Sequence, residues 1–249
     1  MTAGPIDYDE IAPRYDRHRR GTGPYSDLLW ELARSAPGRE FLEIGPGTGN
    51  ETAAMLEAAP ARITGLERSR GMCAQARAKG VAAAWVQGEA EHLPFRNQSF
   101  DFLFGAYMLH YLPDLEVVFR ECRRVLRPNG TAAFVTVSHE FIRAHPMNRW
   151  FPSLAKVDLD RFPDIGRVRA ALESAGFRAV DSRDTAALPR DIDTAYADRV
   201  AHRFISTYDL LPPAEFDEGL KSLRRDIARG AAGTLVREAT LVWGHLPPT

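Results

Sequence analysis

The sequence predicts an α/β fold built around a mainly parallel β-sheet. Short apolar segments alternate with helical segments over residues 40–138, and strands separated by such helices form right-handed parallel crossovers. The segment SFDFLFGAY is apolar almost throughout, as expected for a strand that is buried on both faces. A glycine-rich loop directly follows the first predicted strand, at the sheet edge where α/β proteins bind ligands.

The chain has 249 residues and a net charge of −1, which favours one large domain over residues 1–249. We interpret residues 1–36 as an N-terminal helical cap. The near-neutral charge argues against a nucleic-acid partner, because such proteins usually carry a basic face. No apolar run approaches the roughly 18 residues of a membrane span, and no secretory signal is recognisable, so we expect a cytoplasmic protein. The oligomeric state is not predicted.

The predicted elements follow one another closely as far as Ser138. Strands are expected at REFLEIG, RITGLE, AAWVQG, SFDFLFGAY and TAAFVTVS, and helices at TGNETAAMLEAA, SRGMCAQARAKG and DLEVVFRECRRVL. The last of these helices is the clearest, because Leu115, Val118 and Cys122 recur at helical spacing. A helix at IGRVRAALESAGF and strands at RAVDSRD and EATLVWGHL complete the sheet.

Two insertions interrupt this alternation, at residues 139–163 and 186–232. The first is rich in proline, aromatic residues and arginine and has no clear period, whereas the second is mostly helical. Insertions after strands commonly cover a site at the carboxyl ends of those strands. We therefore expect a lid that contacts the substrate. Its aromatic content favours an apolar or aromatic substrate, although the same residues would also serve as the core of the lid.

The loop after the first strand carries glycines at positions 45, 47 and 49. Backbone N–H groups at a helix N-terminus favour an anionic group, and the absence of side chains lets a ligand touch the main chain. A dinucleotide fingerprint requires a third glycine where this chain has Asn50. With Glu43 just before the loop, the pattern favours a ligand with an amino-acid tail whose ammonium group binds Glu43. A purely structural turn is the alternative.

Acids also follow the next two strands. Glu67 ends the second strand, where a carboxylate can accept hydrogen bonds from both ribose hydroxyls. NAD enzymes use the same contact, so Glu67 does not separate the two ligand classes. Glu89 follows the third strand and would accept from an adenine amine, while the N–H of Ala90 would donate to the ring. A single strand-end acid is often only solvated, but acids on three consecutive strands favour a nucleoside ligand.

At this point the sequence resembles a known family. The segments FLEIGPGTG, GLE and GEAEHLPFRNQSFDFLFGAYMLHYLPDLEVVFRECRRVLRPNG are similar to class I S-adenosylmethionine-dependent methyltransferases, in the small-molecule group of quinone-biosynthesis enzymes (methyltransferase type 11). The resemblance covers Phe41 to Val137. It implies a Rossmann-like sheet of seven strands in the order 3-2-1-4-5-7-6, with strand 7 antiparallel and helices on both faces. It also implies S-adenosyl-L-methionine as cofactor, S-adenosyl-L-homocysteine as product and methyl transfer to a small molecule.

The resemblance also assigns roles to individual positions. The glycines would contact the methionine and ribose of the cofactor, and a residue pair in the N-terminal cap would close over it. Aspartate is commoner in the family where this chain has Glu89, which weakens the assignment of the adenine contact. The cofactor-binding residues implied in this way are Tyr15, Arg19, Glu43, Gly45, Gly47, Gly49, Glu67, Glu89, Ala90 and Gly105. For Tyr15 and Arg19 the alternative is a packed aromatic ring and a solvated guanidinium group.

The chemistry implied needs little from the protein beyond alignment. A sulfonium methyl is already activated, and holding two reactants in line contributes on the order of 7–11 kcal/mol. His110, just after the fourth strand, is the candidate general base, because imidazole titrates near neutral pH. A packing role is the alternative. Tyr107, His110 and His139 are the candidate substrate contacts, and the histidines show no spacing typical of a metal site.

Two other functions remain open at this stage. One is a catalytically silent protein that binds S-adenosylmethionine or another partner, against which the intact motifs and the aromatic insertions argue. The other is an NAD-dependent oxidoreductase, which Asn50 and the acid after the third strand disfavour. The sequence does not identify the nucleophilic atom of the acceptor, which is O, N, C or S.

Overall fold

The computed structural model describes residues 6–17 and 23–248. Its helices are α1 (Tyr8–Ile11), α2 (Ser26–Arg34), α3 (Asn50–Ala58), α4 (Arg70–Ala78), α5 (Leu115–Val125), α6 (His139–Ala144), α7 (Leu154–Arg161), α8 (Ile165–Ser174), α9 (Thr194–Ala201), α10 (Thr207–Leu210) and α11 (Pro213–Ala228). Short 3-10 helices cover Ala12–Arg17, Leu109–Tyr111 and Pro146–Arg149. The strands are β1 (Glu40–Ile44), β2 (Arg62–Glu67), β3 (Ala84–Gln87), β4 (Phe100–Ala106), β5 (Leu126–Thr136), β6 (Arg178–Ala186), β7 (Arg190–Asp191), β8 (Thr234–Leu235) and β9 (Glu238–His245).

The main sheet has seven strands in the order β3-β2-β1-β4-β5-β9-β6. The first five are parallel to their neighbours, and β9 runs antiparallel between β5 and β6. Since β7 and β8 form a separate pair, β9 is the seventh strand of this sheet. The predicted order 3-2-1-4-5-7-6 and the antiparallel seventh strand are therefore confirmed.

The strand order reverses between β1 and β4, which places the site. The chain proceeds from β1 outward through β2 to β3 and then returns to β4 on the other side of β1. Glu43 of β1 lies beside Phe104 of β4. The loops after these two strands diverge at such a point and leave a crevice at the carboxyl edge, which is where the glycine loop lies.

Each face of the sheet is covered by its own apolar layer. One layer includes α5, whose buried face consists of Leu115, Val118, Phe119, Cys122 and Val125. The helix begins at Asp114, whose carboxylate accepts the N–H groups of Glu116 and Val117, which satisfies donors that the first turn leaves open. The other layer includes α2 and packs on Phe41, Phe102 and Phe104. Each large apolar side chain buried in this way stabilises the fold by about 1.5–3 kcal/mol.

A third apolar cluster joins the two inserted segments. Met147, Trp150 and Phe151 of the first segment pack with residues of the second, including Tyr208 and Leu223. Residues 139–163, which showed no clear period, form α6, a 3-10 helix and α7. The second segment carries the strand β7 besides its helices, and β8 follows directly after it. The use of the two segments as a substrate lid stays a prediction. Among the described helices, none is both long and apolar enough to span a bilayer.

Candidate functional site

A cavity of about 1640 Å³ lies at the carboxyl edge of the sheet. Its wall includes the glycine loop, the ends of β1, β2 and β4, the N-terminal cap and residues from both inserted segments. A pocket for one drug-sized ligand usually measures about 300–1,000 Å³. This cavity therefore has room for two reactants side by side.

The three glycines of the loop have positive φ angles of +70°, +56° and +80° at Gly45, Gly47 and Gly49. A Cβ on Gly47 would point into open space, with only the Tyr15 ring 4.0 Å away. Gly45 and Gly47 line the cavity, so a ligand can approach the main chain there. Their predicted contact with the cofactor is compatible with this geometry.

Two of the predicted glycines face protein atoms instead. A Cβ on Gly49 would lie 2.7 Å from the indole of Trp85, and one on Gly105 would lie 2.9 Å from the carbonyl oxygen of Ile44. Neither glycine belongs to the described wall of the cavity. Packing alone accounts for both residues, and their predicted contacts with the cofactor stay predictions.

Glu67 connects the end of β2 to the glycine loop. One carboxylate oxygen accepts the backbone N–H of Gly47 at 3.0 Å, and the other accepts that of Ser69 at 2.8 Å. These hydrogen bonds lower the pKa of Glu67, but burial has the larger effect, so the net shift of the pKa is upward. The carboxylate lines the cavity and keeps free lone pairs for further donors, as its predicted ribose contact requires.

Buried acids gather beside the loop. Glu43 is 1 % exposed and accepts a hydrogen bond from Thr52. The pKa of Glu43 is raised to about 8, mainly by burial; the hydrogen bond from Thr52 opposes the rise, and the charges of Glu51 and Glu67 add to it. Glu51 accepts the hydroxyl of Tyr25 at 2.6 Å, and burial raises its pKa to about 7. Such closely spaced carboxylates favour a cationic ligand, so an ammonium or sulfonium group fits this end of the cavity.

Glu89 and Ala90 lie after β3 in the cavity wall. Glu89 is exposed and Ala90 is buried. The carbonyl of Glu89 accepts the N–H of His92 at 3.3 Å, and this turn holds both residues toward the cavity. Their predicted contact with adenine stays a prediction.

The N-terminal cap binds to the loops that follow β1 and β2. Asp16 accepts the hydroxyl of Thr48 at 2.6 Å and pairs with Lys79 at 2.6 Å. Asp9 accepts the hydroxyl of Ser69 at 2.6 Å and the N–H of Gly71 at 2.7 Å. These contacts place Tyr15 in the cavity wall beside the glycine loop. Arg19, the other predicted residue of the cap, lies outside the described residues.

Tyr107 and His110 follow β4 and line the cavity. Tyr107 has a φ of +53°, an uncommon backbone conformation for a large residue that often marks a functional position. Its ring contacts that of Tyr25 edge-on, with centroids 5.8 Å apart. The ring of His110 stacks on Phe162 at 4.0 Å and contacts Tyr111 at 4.0 Å. Both residues are thus placed where the sequence suggested, and their roles stay predictions.

His139 occupies a different position. Its Nε2 lies 2.8 Å from the carbonyl oxygen of Phe162, and its Nδ1 lies 3.9 Å from a carboxylate oxygen of Asp164. It is not part of the described wall of the cavity. The histidine therefore positions the residue that stacks on His110, and a direct contact with substrate stays a prediction.

A polar network joins the cap to both insertions. The hydroxyls of Tyr8 and Tyr111 share a hydrogen bond, and Tyr111 donates to Ser206 at 2.8 Å. Arg161 of α7 donates to the same serine at 3.2 Å. The guanidinium of Arg161 also lies 5.5 Å from the centre of the Tyr111 ring. The network closes one side of the cavity.

Sequence reasoning missed several residues of this site. Glu51 and Asp16 carry no motif, and only the folded chain brings them to the loop. Asp158, whose pKa burial raises to about 6, also lines the cavity. Five arginines line the cavity as well: Arg17, Arg68, Arg190, Arg199 and Arg237. Among the described residues, no group of three His, Cys, Asp or Glu side chains is arranged to hold a metal ion.

Residues 42–134 match the protein family described as "Methyltransferase domain". A demethylmenaquinone methyltransferase from Chlorobaculum parvum is 31% identical over 139 residues, which are 51% of this chain and 57% of that relative. The chain thus spans less than two thirds of the length of this relative.

Solved structures share the fold at low identity. One is a structure named for a methyltransferase of an antibiotic biosynthesis pathway in Anabaena variabilis, with a TM-score of 0.75 and 22% identity, covering 89% of this chain and 96% of that one. Another is the cyclase SpnF, with a TM-score of 0.65 and 20% identity, covering 97% of this chain and 94% of that one. At these identities the likeness shows the fold alone, and the second name illustrates that the fold does not fix the reaction.

Proposed function

We propose that the chain, whose residues 42–134 match a methyltransferase domain family, is a class I S-adenosylmethionine-dependent enzyme that transfers a methyl group to a small-molecule acceptor. The observation that carries the proposal is the pairing of the glycine loop with buried acids in one cavity. Gly47 offers open space to a ligand, and Glu43 and Glu51 place two buried carboxyl groups in the same wall, whose ionised forms a cationic ligand would stabilise. A cationic nucleoside satisfies both features.

The residues that would hold the cofactor follow from this arrangement. Gly45 and Gly47 would lie against its methionine and ribose, Glu43 would face its ammonium group, and Glu67 would accept from its ribose hydroxyls. Glu89 and Ala90 would contact its adenine. When bound, S-adenosylmethionine supplies an activated methyl group. The chain itself positions the acceptor, excludes water and, for an acceptor that loses a proton, provides a base.

His110 is the residue we propose as this base. Stacking on Phe162 and contact with Tyr111 hold its ring at the cavity wall, close to Tyr107 at the end of β4. A general base in this position contributes about 10²–10⁴-fold to the rate. A second candidate base is the carboxylate of Asp158, which lies in the part of the cavity wall formed by α7.

The acceptor is proposed to be an apolar or aromatic small molecule. The relative from Chlorobaculum parvum is named for a demethylmenaquinone, and the inserted segments of this chain contribute Phe141, Phe162, Tyr196 and Phe204 to the cavity wall. The proposed setting is the cytoplasm, without a nucleic-acid partner. A silent protein that binds the cofactor remains the second candidate.

A binding and transfer experiment separates the candidates. Calorimetry should show binding of S-adenosylhomocysteine with no comparable binding of NAD⁺, and labelled S-adenosylmethionine should transfer its methyl group to a member of a panel of quinols, phenols, amines and thiols. Binding without transfer to any acceptor would favour the silent protein. Absence of binding would refute the proposal.

Variants then test the base. His110→Ala should slow transfer to a proton-losing acceptor by about 10²-fold and remove the acidic limb of the pH–rate profile. The exposed His92, outside the described cavity wall, provides the matched control variant His92→Ala. An unchanged profile in His110→Ala would assign the role elsewhere, and Asp158→Asn would then be the variant to measure.

A further inference from the structure

One end of the cavity carries three arginine side chains. Arg190 belongs to β7, Arg199 to α9, and Arg237 follows β8. Within residues 6–17 and 23–248, no carboxylate forms an ion pair with any of these three guanidinium groups. The arginines lie close enough to affect one another, because the charges of Arg237 and Arg190 both lower the pKa of Arg199 in addition to the larger effect of burial.

We infer that this end of the cavity binds an anionic group, a carboxylate or a phosphate, on the methyl-accepting substrate. The inference rests on the proposed function, because it assigns the charge of the acceptor in that same site. Guanidinium groups present several donors in a planar fork that matches both anions. Three such groups without a carboxylate partner would otherwise repel one another.

Arg199 is the best-placed of the three. It is half-buried, and its Nε is buried without a hydrogen-bond partner in the described part of the chain. Its guanidinium lies 4.2 Å from the centre of the Phe204 ring and 5.9 Å from that of Tyr196. Leaving a buried charged donor unpaired is costly, and an anion in the cavity would remove that cost. The flanking rings suit an apolar body attached to the anion.

Arg237 connects this end to the predicted point of methyl transfer. Burial raises the pKa of Tyr107, and the charge of Arg237 acts against it. Burial likewise raises the pKa of Glu51 to about 7, again opposed by Arg237. Arg237 is thus within electrostatic reach both of Glu51, at the acidic end that fits a cationic cofactor, and of Arg199. An acceptor held by its anion would present its other end toward Tyr107.

Glu51 feels the charge of Arg237, but neither it nor the other acids of this part of the wall form an ion pair with the arginines among the described residues. Asp193 accepts the N–H of Tyr196 as the cap of α9. Glu238 is next to Arg237 in sequence, but the charges that act on its carboxyl are those of Asp184 and Glu140, after the larger effect of burial. Asp191 is exposed on β7. The positive charge of this end therefore remains available to a ligand.

The test compares charged and neutral probes on the whole chain saturated with S-adenosylhomocysteine. Benzoate and phenyl phosphate are titrated against benzamide, and binding is followed by ligand-observed NMR. At least one anion should bind roughly 10-fold or more tightly than benzamide. Arg199→Gln and Arg237→Gln should each abolish most of that preference, and Arg237→Lys should retain part of it. The exposed Arg183 of β6, outside the described cavity wall, gives the control Arg183→Gln.

The outcomes separate the two proposals. A preference for benzoate identifies a carboxylate acceptor, and one for phenyl phosphate identifies a phosphate acceptor. Equal binding of all three probes, or a preference that survives in both glutamine variants, would overturn the anionic site. Arg237 is exposed, so its variant should fold even if Arg199→Gln does not. Binding of S-adenosylhomocysteine is measured separately, and its failure would remove the proposed function while leaving the anion preference to be judged on the ligand-free chain.

Discussion

The carboxylate of Glu67 accepts the backbone N–H of Gly47 at 3.0 Å, so the acid that ends β2 fixes the glycine loop that follows β1. The two residues belong to neighbouring parallel strands, and their loops meet at the same edge of the sheet. The side chain of Glu67 therefore both stabilises the conformation of the glycine loop and lines the cavity. A ligand in the cavity would contact both residues together.

Glu67→Gln should weaken binding of S-adenosylhomocysteine by roughly 10- to 100-fold. An amide has a single acceptor oxygen, so the variant loses one of the charge-assisted bonds to Gly47 and Ser69 as well as the predicted contact with the ribose. Calorimetry gives the affinity. Glu57→Gln is the control: it changes an exposed carboxylate of α3 and should leave the affinity for S-adenosylhomocysteine unaltered. Equal affinities in the two variants would show that Glu67 only shapes the loop.

Gly47→Ala should lower both stability and cofactor affinity. A residue with a Cβ at φ +56° costs about 1–2 kcal/mol, or about 2–4 °C in Tm for each kcal/mol in a chain of this size. The added methyl also points into the cavity.

Gly80→Ala is the matched control for this glycine. Gly80 has a φ of +68° and no atom within 4 Å of an added Cβ, and it lies outside the described cavity wall. Gly80→Ala should lower Tm by about as much as Gly47→Ala does, but it should bind S-adenosylhomocysteine normally. If both variants bind alike, the space beside Gly47 is not used by the ligand.

Asp16→Asn should loosen the N-terminal cap. The variant loses the charge that pairs with Lys79 and weakens the bond from Thr48. Because the ion pair is partly exposed, we expect S-adenosylhomocysteine to dissociate only roughly 3- to 10-fold faster. Hydrogen exchange should increase in residues 12–17. Asp160→Asn removes the exposed pair with Lys156 and should change neither measurement. Unchanged exchange in Asp16→Asn would mean that the cap is held by other contacts.

The sheet was predictable from sequence because each of its elements carries a local signal. Strand β4 is buried along its whole length except at Ala106, and its almost continuous apolar sequence predicts this burial. Helix α5 buries the apolar positions that its spacing predicted. The order of the strands came from the resemblance to a family, since periodicity alone does not specify which strands pair.

The site was predictable at the strand ends and, through the resemblance to a family, at Tyr15 of the N-terminal cap. Residues 139–163 bury Met147 and Phe151 against Tyr208 and Leu223, partners too distant in sequence for any local pattern to show. A glycine motif likewise does not reveal which glycine faces a ligand: Gly47 faces the cavity, whereas Gly49 faces Trp85. Arg190, Arg199 and Arg237 come from segments without a motif, so only the folded chain brings them to one cavity.

The buried acids should make the ligand-free protein less stable as pH rises. Folded Glu43 and Glu51 have pKa values of about 8 and about 7, raised mainly by burial from an ordinary 4.5. Between the ordinary pKa of 4.5 and the raised values, the folded state binds more protons than the unfolded state. The free energy of unfolding is therefore greater at low pH and is lost as pH rises through 7 and 8. Burial lowers the pKa of His145 to about 4, which acts in the opposite direction below about pH 6.5.

Urea unfolding between pH 6.5 and 8.5 therefore isolates the acids. The free energy of unfolding should fall by on the order of 2 kcal/mol over this interval. Glu51→Gln should reduce the fall, and the exposed Glu57→Gln should not. Saturating S-adenosylhomocysteine, whose ammonium group would favour the ionised carboxylates, should also reduce it, with protons released on binding in calorimetry at pH 7. A flat profile for the unmodified protein would show that Glu43 and Glu51 titrate near their ordinary values and that the acidic end of the cavity is well solvated.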